Sequence, residues 1–349
     1  MRIAIVNDTT FAIEALRRAL TREGAHQVAW VARDGVEAVA RCAADRPDLL
    51  LMDLHLPQMD GVEATRRIMG LSPCPILIVT ASVSEHSARV FEALGAGAVD
   101  AVNTPILGMD GKGSGVAVLL AKIGTIGKLS REVAASRSAV GGKLVGGGVG
   151  RGVGIVGIGC SAGGPLALAT VLSSLPKDFA HPMVVVQHLD SEFAPGLASW
   201  LGQQCQFPVR LAREGDALVP GTVLLAGSSD HLVFIRPGVL GYTEDPKDYP
   251  YRPSIDVFFE SALRFRSMKM VGVLLTGMGR DGAQGLKGLR DAGWHTIAQD
   301  QATSAVYGMP KAAAAIGAAL EILPLEKIGG GIVRSLSGAG SVGSSTRSN

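Results

Sequence analysis

Between residues 2 and 105, short apolar runs alternate with stretches whose apolar positions recur at helical spacing. The runs at 2–6, 27–32, 49–52, 76–79 and 98–102 read as strands. The segments 12–22, 35–44, 61–69 and 84–94 read as amphipathic helices between them, with a fifth helix over 116–128. Strict strand–helix alternation predicts a doubly wound α/β domain on a five-stranded parallel sheet. From Gly124 to Gly152 the period fades into Gly, Ser, Lys and Val, which predicts a flexible linker over 124–152. The α/β pattern resumes at 153 and continues to 334, so a second, mostly parallel α/β domain is expected there. The last stretch, 335–349, is Ser/Gly-rich and reads as a disordered tail.

Composition narrows the function classes. The 349 residues carry a net charge of +2, too little for a nucleic-acid or anionic-membrane footprint, and no apolar run approaches bilayer length. No signal-peptide pattern is visible at the N-terminus, and Cys42, Cys74, Cys160 and Cys205 lack metal or disulfide spacing. A cytoplasmic protein without direct membrane insertion or nucleic-acid partner is expected.

The second domain opens with Val153-Gly-Ile-Val-Gly-Ile-Gly-Cys-Ser-Ala-Gly-Gly-Pro165, a strand, a glycine turn bearing Ser161, and a helix start. Such a turn suits a nucleophilic serine beside an oxyanion site, a phosphate cradle, or plain βα packing. Gly157, Gly159 and Gly163 space one residue too long for a dinucleotide fingerprint, and the next strand ends in Gln187-His188 rather than an acid. His188 closes that strand, and Asp281 lies in the Gly-rich turn 277–282 after the strand at 270–276. Ser161, His188 and Asp281 are thereby expected at one sheet edge, where they can act as nucleophile, base and orienting carboxylate. Cys160 reads as a packing residue, because adjacent turn positions cannot both point into one site.

In the first domain Asp8, Asp53 and Thr80 close successive strands, and two carboxylates at one sheet edge suit a hard cation such as Mg²⁺. These positions, with Leu51-Met-Asp53-Leu-His-Leu-Pro57-Gln-Met-Asp-Gly61, resemble the flavodoxin-like receiver domain of two-component response regulators over 1–123. The resemblance implies phosphorylation at Asp53 by a CheA-type histidine kinase, Mg²⁺ held by Asp8 and Asp53, and Thr80 as the switch hydroxyl. Three positions depart from the receiver pattern: Asn7 stands where a second acid is usual, Thr104 where a lysine is usual, and Ala101 where an aromatic switch residue is usual.

Residues 153–334 resemble the catalytic domain of CheB-type protein-glutamate methylesterases. The likeness rests on Gly157-Ile-Gly-Cys-Ser-Ala-Gly-Gly164, Gln187-His188, Tyr251-Arg-Pro-Ser-Ile-Asp256, Gly272-Val-Leu-Leu-Thr-Gly-Met-Gly-Arg-Asp-Gly282 and Ala305-Val-Tyr-Gly-Met-Pro310. It implies a Ser161–His188–Asp281 triad, the backbone N–H of Met278 at the oxyanion, and hydrolysis of glutamyl methyl esters on chemoreceptor-like proteins without a cofactor for catalysis. Deamidation of receptor glutamines belongs to the same chemistry. Ala162 replaces the threonine of many members. Asn7 and Thr104 together resemble a subgroup serving Wsp-type surface-sensing pathways. Arg252, Arg280 and Tyr251 are candidates for the substrate groove. A non-catalytic signalling module, binding kinase or receptor through a degenerate receiver, is the competing reading.

Overall fold

The computed structural model describes residues 1–21, 26–82, 86–105, 115–135, 154–249, 251–265 and 267–337. The alternation in the sequence becomes two parallel sheets. The first is built from β1 (Arg2–Val6), β2 (Gln27–Ala32), β3 (Leu49–Met52), β4 (Ile76–Thr80) and β5 (Asp100–Asn103), ordered β2-β1-β3-β4-β5. Helices α1 (Thr10–Thr21), α2 (Gly35–Ala44), α3 (Gly61–Leu71), α4 (Ser87–Gly95) and α5 (Val116–Ala135) cover it. Alternate strand residues feed two layers: Ala4 and Val6 pack with Ala38, Val62, Ile68 and Phe91, while Ile3 and Ile5 pack with Ile13, Leu16, Leu119 and Ile123. Burial on both faces is why β3 and β4 read as continuous apolar runs.

The second domain runs β6 (Ile155–Cys160), α6 (Gly164–Ser173), β7 (Met183–Gln187), α7 (Ala194–Gln204), β8 (Val209–Leu211) and β9 (Val223–Leu225), then the antiparallel hairpin β10 (His231–Arg236) and β11 (Val239–Thr243). It continues through α8 (Ile255–Leu263), β12 (Met270–Leu274), α9 (Ala283–Asp291), β13 (Thr296–Gln299), α10 (Met309–Ala315), β14 (Glu321–Leu323) and α11 (Leu325–Ser337). Its seven parallel strands order as β14-β13-β12-β6-β7-β9-β8. The chain leaves β6 for β7 on one side and later reaches β12 on the other. The carboxyl end of β6 is therefore the switch point, where an open α/β sheet leaves a crevice. The first sheet switches in the same way between β1 and β3.

Several boundaries differ from expectation by one to three residues, among them α1, α3, α4 and β4, and three differences bear on the domain organisation. Helix α5 runs to Ala135, into the stretch read as linker from 124, because Val116, Leu119, Ile123 and Ile126 keep one buried face across the glycines. Residues 136–152 of that stretch lie outside the described residues. Helix α11 likewise runs to Ser337, past the expected start of the tail at 335, and 338–349 lie outside the described residues. Strand β5 begins at Asp100 rather than 98; just before it, the Val99 carbonyl accepts a bond from the Gly163 N–H of the other domain.

That bond belongs to a broad docking of the two domains. Helix α4 lies against α6 and α7, with the Phe91 ring 6.3 Å from Trp200. A Cβ at Gly95 would come within 2.7 Å of the Trp200 ring. Phe91 is fully buried, and burying such a ring contributes roughly 1.5–3 kcal/mol. Ala162 and Val306 of the second domain share an apolar cluster with Val102 and Val116 of the first.

Candidate active site

At the first switch point Asp53 follows β3, with Oδ1 accepting from the Leu54 N–H at 2.7 Å and Oδ2 from Asn7 Nδ2 at 2.9 Å. Burial pushes the Asp53 carboxyl up, the backbone N–H groups of His55 and Leu54 draw it down, and neighbouring Asp8 raises it again. The structure thus brings Asp8 and Asp53 together. Asn7 is nearly buried and turns its amide to Asp53 and the Thr9 N–H, so it adds no third carboxylate. Thr80 is buried with its hydroxyl unpartnered among the described residues. Thr104 bonds the Thr80 carbonyl through its N–H at 2.8 Å, and Lys122 Nζ goes to the Ala101 carbonyl and Asp100. Two carboxylates at a sheet edge fit a hard cation that keeps most of its waters, although no cluster of three or more His, Cys, Asp or Glu occurs among the described residues.

At the second switch point the three residues read from strand ends converge. Ser161 leaves β6 with its N–H on the Thr276 carbonyl at 3.0 Å. His188 leaves β7 with its N–H on the Cys160 carbonyl at 3.0 Å. His188 Nε2 lies 2.7 Å from Asp281 Oδ2. Ser161 faces the turn after β12, where a Cβ at Gly277 would come within 2.8 Å of Ser161 Cβ; only glycine permits this approach. Ser161 Oγ and His188 line the same cavity without a hydrogen bond between them, a loose geometry common before substrate arrives. Cys160 is fully buried, and burial pushes its thiol up, as its packing role requires.

Asp281 is the most heavily bonded group in the site. Besides His188 it accepts from Ser254 Oγ at 2.8 Å, the Ile255 N–H at 2.7 Å and the Asp256 N–H at 3.2 Å. These donors form the N-terminus of α8, whose cap is Ser254, so the helix end and its dipole face the carboxylate. Burial opposes the charge on Asp281, but the hydrogen bond and charge of His188 and the α8 donors hold its carboxyl below the usual range. Asp256, one turn into the network, accepts from Gly285 N–H at 2.7 Å and Tyr249 OH at 2.9 Å. Burial, with Asp281 as a like charge nearby, pushes Asp256 up to about 6 against those bonds.

Gln187 carries a role that its place in the sequence did not disclose. Its Nε2 donates to the Ser161 carbonyl at 2.9 Å and to the His188 carbonyl at 3.0 Å, tying these two residues through one buried amide. Thr276 works similarly, donating to the Ala162 carbonyl at 3.0 Å while its own N–H is held by Gln299 Oε1 at 2.8 Å. Met278, the candidate oxyanion donor, is half-buried and its N–H has no hydrogen bond among the described residues. Tyr251 and Arg252 line the cavity, Arg252 paired to Asp230 at 3.0 Å, whereas Arg280 is exposed outside it.

The cavity measures about 860 Å³ and is walled on its far side by the first domain, including Val102, Thr104 and Lys122. Gly163, two residues after Ser161, donates its N–H to the Val99 carbonyl at 3.0 Å.

Comparison with known proteins identifies both domains. A family model described as CheB methylesterase matches residues 156–332, and the response regulator receiver domain matches 3–109. A protein-glutamate methylesterase/protein-glutamine glutaminase of Pseudomonas aeruginosa is 56% identical over 330 residues, covering 94% of this chain and 97% of that protein. The chain belongs to the CheB methylesterase family. Another relative of the same description, from Mesorhizobium japonicum, is 55% identical over 95% of this chain and 98% of its own length. The crystal structure of the Thermotoga maritima CheB methylesterase catalytic domain matches with a TM-score of 0.50 and 34% identity, covering 53% of this chain and 99% of that domain. The expected receiver-plus-methylesterase architecture is thereby borne out. No helix among the described residues is long and apolar enough to cross a membrane.

Proposed function

We propose that this CheB-family chain hydrolyses glutamyl methyl esters on chemoreceptor-like proteins through Ser161, His188 and Asp281, with access governed by its receiver. The observation that carries this reading is the 2.7 Å contact of His188 Nε2 with Asp281 Oδ2 beside Ser161 at the β6 switch point. With Nε2–H committed to Asp281, the lone pair on Nδ1 is the base. It takes the Ser161 proton as Oγ attacks the ester carbonyl, and the imidazolium is stabilised by Asp281. The Met278 N–H meets the tetrahedral oxyanion, a donor usually worth roughly 3–4 kcal/mol. Methanol leaves with the proton from His188. Water, deprotonated by His188, then cleaves the acyl-serine and releases the receptor glutamate. Glutamine deamidation follows the same path with ammonia leaving.

Arg252, ion-paired to Asp230, lines the cavity where the receptor segment would enter, and Arg280 lies outside it. The receiver in its docked position covers the cavity, and phosphorylation of Asp53 by a CheA-type kinase is the family's means of moving it. Asp8 and Asp53 would hold Mg²⁺, which would supply charge neutralisation for phosphoryl transfer, and Thr80 offers the switch hydroxyl. Asn7 and Thr104 weaken that relay, because Thr104 cannot supply an ammonium to the phosphoryl group. Their pairing favours a surface-sensing pathway of the Wsp type. The substrate glutamates lie on cytoplasmic helices, which puts this chain in the cytoplasm.

The test is methanol release from membranes containing methylated receptor, wild type against Ser161→Ala. Loss of release in a variant with an unchanged circular dichroism spectrum is expected. Wild-type turnover by folded Ser161→Ala would overturn the reading.

A further inference from the structure

The geometry points to Tyr251, which lines the cavity, as a positioning residue for the catalytic base. The inference rests on the proposed Ser161–His188–Asp281 mechanism. The Tyr251 ring lies 4.7 Å from the His188 ring, centroid to centroid, with the planes 2° from parallel. At its other end the Tyr251 hydroxyl sits where a side chain of Gly279 would begin: a Cβ there would come within 2.3 Å of the oxygen. Gly279 has φ +83°, so glycine is required twice over, by the backbone and by the tyrosine. Gly279 follows Met278, whose N–H is the oxyanion donor. One side chain therefore touches both halves of the machinery, the imidazole and the oxyanion turn.

The reason a base needs such a partner follows from its bonds. The hydrogen bond from Nε2 to Asp281 pins one edge of the imidazole. Rotation about that contact would still swing Nδ1 away from Ser161. A parallel aromatic face removes this freedom by fixing the plane of the ring. The same face favours the imidazolium formed during attack, because the ring quadrupole attracts a cation. Both effects act on the chemical step and neither requires contact with the receptor.

The experiment compares Tyr251→Phe, Tyr251→Leu and Tyr251→Met in the full chain, by methanol release across a titration of methylated receptor membranes. Phe keeps the face and is expected to hold kcat within about twofold of wild type. Leu and Met lose it and are expected to lower kcat about tenfold or more, with KM within about twofold, since the ring's attraction for the imidazolium and its hold on the plane are both gone. Two aliphatic variants keep the comparison readable should one fail to fold. A rise in KM with kcat unchanged would make Tyr251 a groove residue and overturn the inference. So would full activity in Leu or Met, or a loss in Phe equal to theirs. Ser161→Ala run alongside separates the two claims: its retained activity would sink the mechanism itself, whatever Tyr251 does.

Discussion

The two domains place a reactive site at the same topological position, and they have treated it in opposite ways. At the β6 switch point the hydrogen bonds gather on the groups around the reactive residues: Asp281 accepts four, and Gln187 Nε2 joins the Ser161 and His188 carbonyls. At the β1–β3 switch point Asp53 accepts from the Leu54 and His55 N–H groups and from Asn7, Thr104 stands where the receiver pattern has a lysine, and the Thr80 hydroxyl is buried without a partner among the described residues. Preorganised donors and acceptors are where catalytic power resides, because they need no rearrangement as charge develops. The comparison teaches that one fold principle places a site, while the density of its hydrogen bonds says whether chemistry is invested there.

The comparison breaks first at Asp281. Asp281→Asn should lower kcat by about 10⁴, because an amide can no longer hold His188 in the required tautomer. Equal turnover of the folded variant and wild type would mean that the dense network is structural. The next largest effect is expected at the seam. Phe91→Ala removes about 3–5 kcal/mol of packing shared by the receiver core and its seat on α7. The basal methanol-release rate should rise severalfold as the cavity opens, and an unchanged rate would show that docking does not limit access.

A smaller effect concerns Asp256. Its folded-state carboxyl is pushed up to about 6, so its contribution to stability is full below the ordinary carboxylate pKa and is lost as pH rises through 6. Asp256→Asn keeps an acceptor but cannot ionise. The melting temperature of the variant relative to wild type should therefore climb between pH 4 and pH 7, by the equivalent of about 1.4 kcal/mol per unit of pKa difference. A difference flat across that range would contradict the assignment. The smallest response belongs to the receiver. With threonine in place of the phosphate-pairing ammonium, wild type and Asp53→Asn should differ less than about twofold in methanol release on adding a small-molecule phosphodonor. A tenfold stimulation confined to wild type would restore the receiver site to full strength.

Much of this was legible because it is local. Strands β1, β2 and β3 and helix α2 sit where periodicity puts them, and the gathering of Ser161, His188 and Asp281 follows from strand ends plus the rule that crevices lie beyond them. What escaped is nonlocal. Gln187 reads as the last residue of a strand; its double bond depends on β6 and β7 pairing so that Cys160 stands opposite Gln187. Ser254 and Asp256 lie in a quoted motif, yet their service to Asp281 depends on α8 pointing its N-terminus at the turn after β12. Helix α5 overran the expected linker because tertiary burial of Ile123 and Ile126 outweighs the poor helix propensity of Gly124 and Gly127.

The bond from Gly163 N–H to the Val99 carbonyl has a bearing on how this chain can change over time. A contact between two backbones is blind to side-chain identity. Substitutions can accumulate at position 99 without unmaking it, provided the strand keeps its path. A receiver carrying Asn7, Ala101 and Thr104, three departures from the receiver pattern, can thus still cover the cavity. Its role as a plug and its role as a sensor are separable traits, open to independent drift.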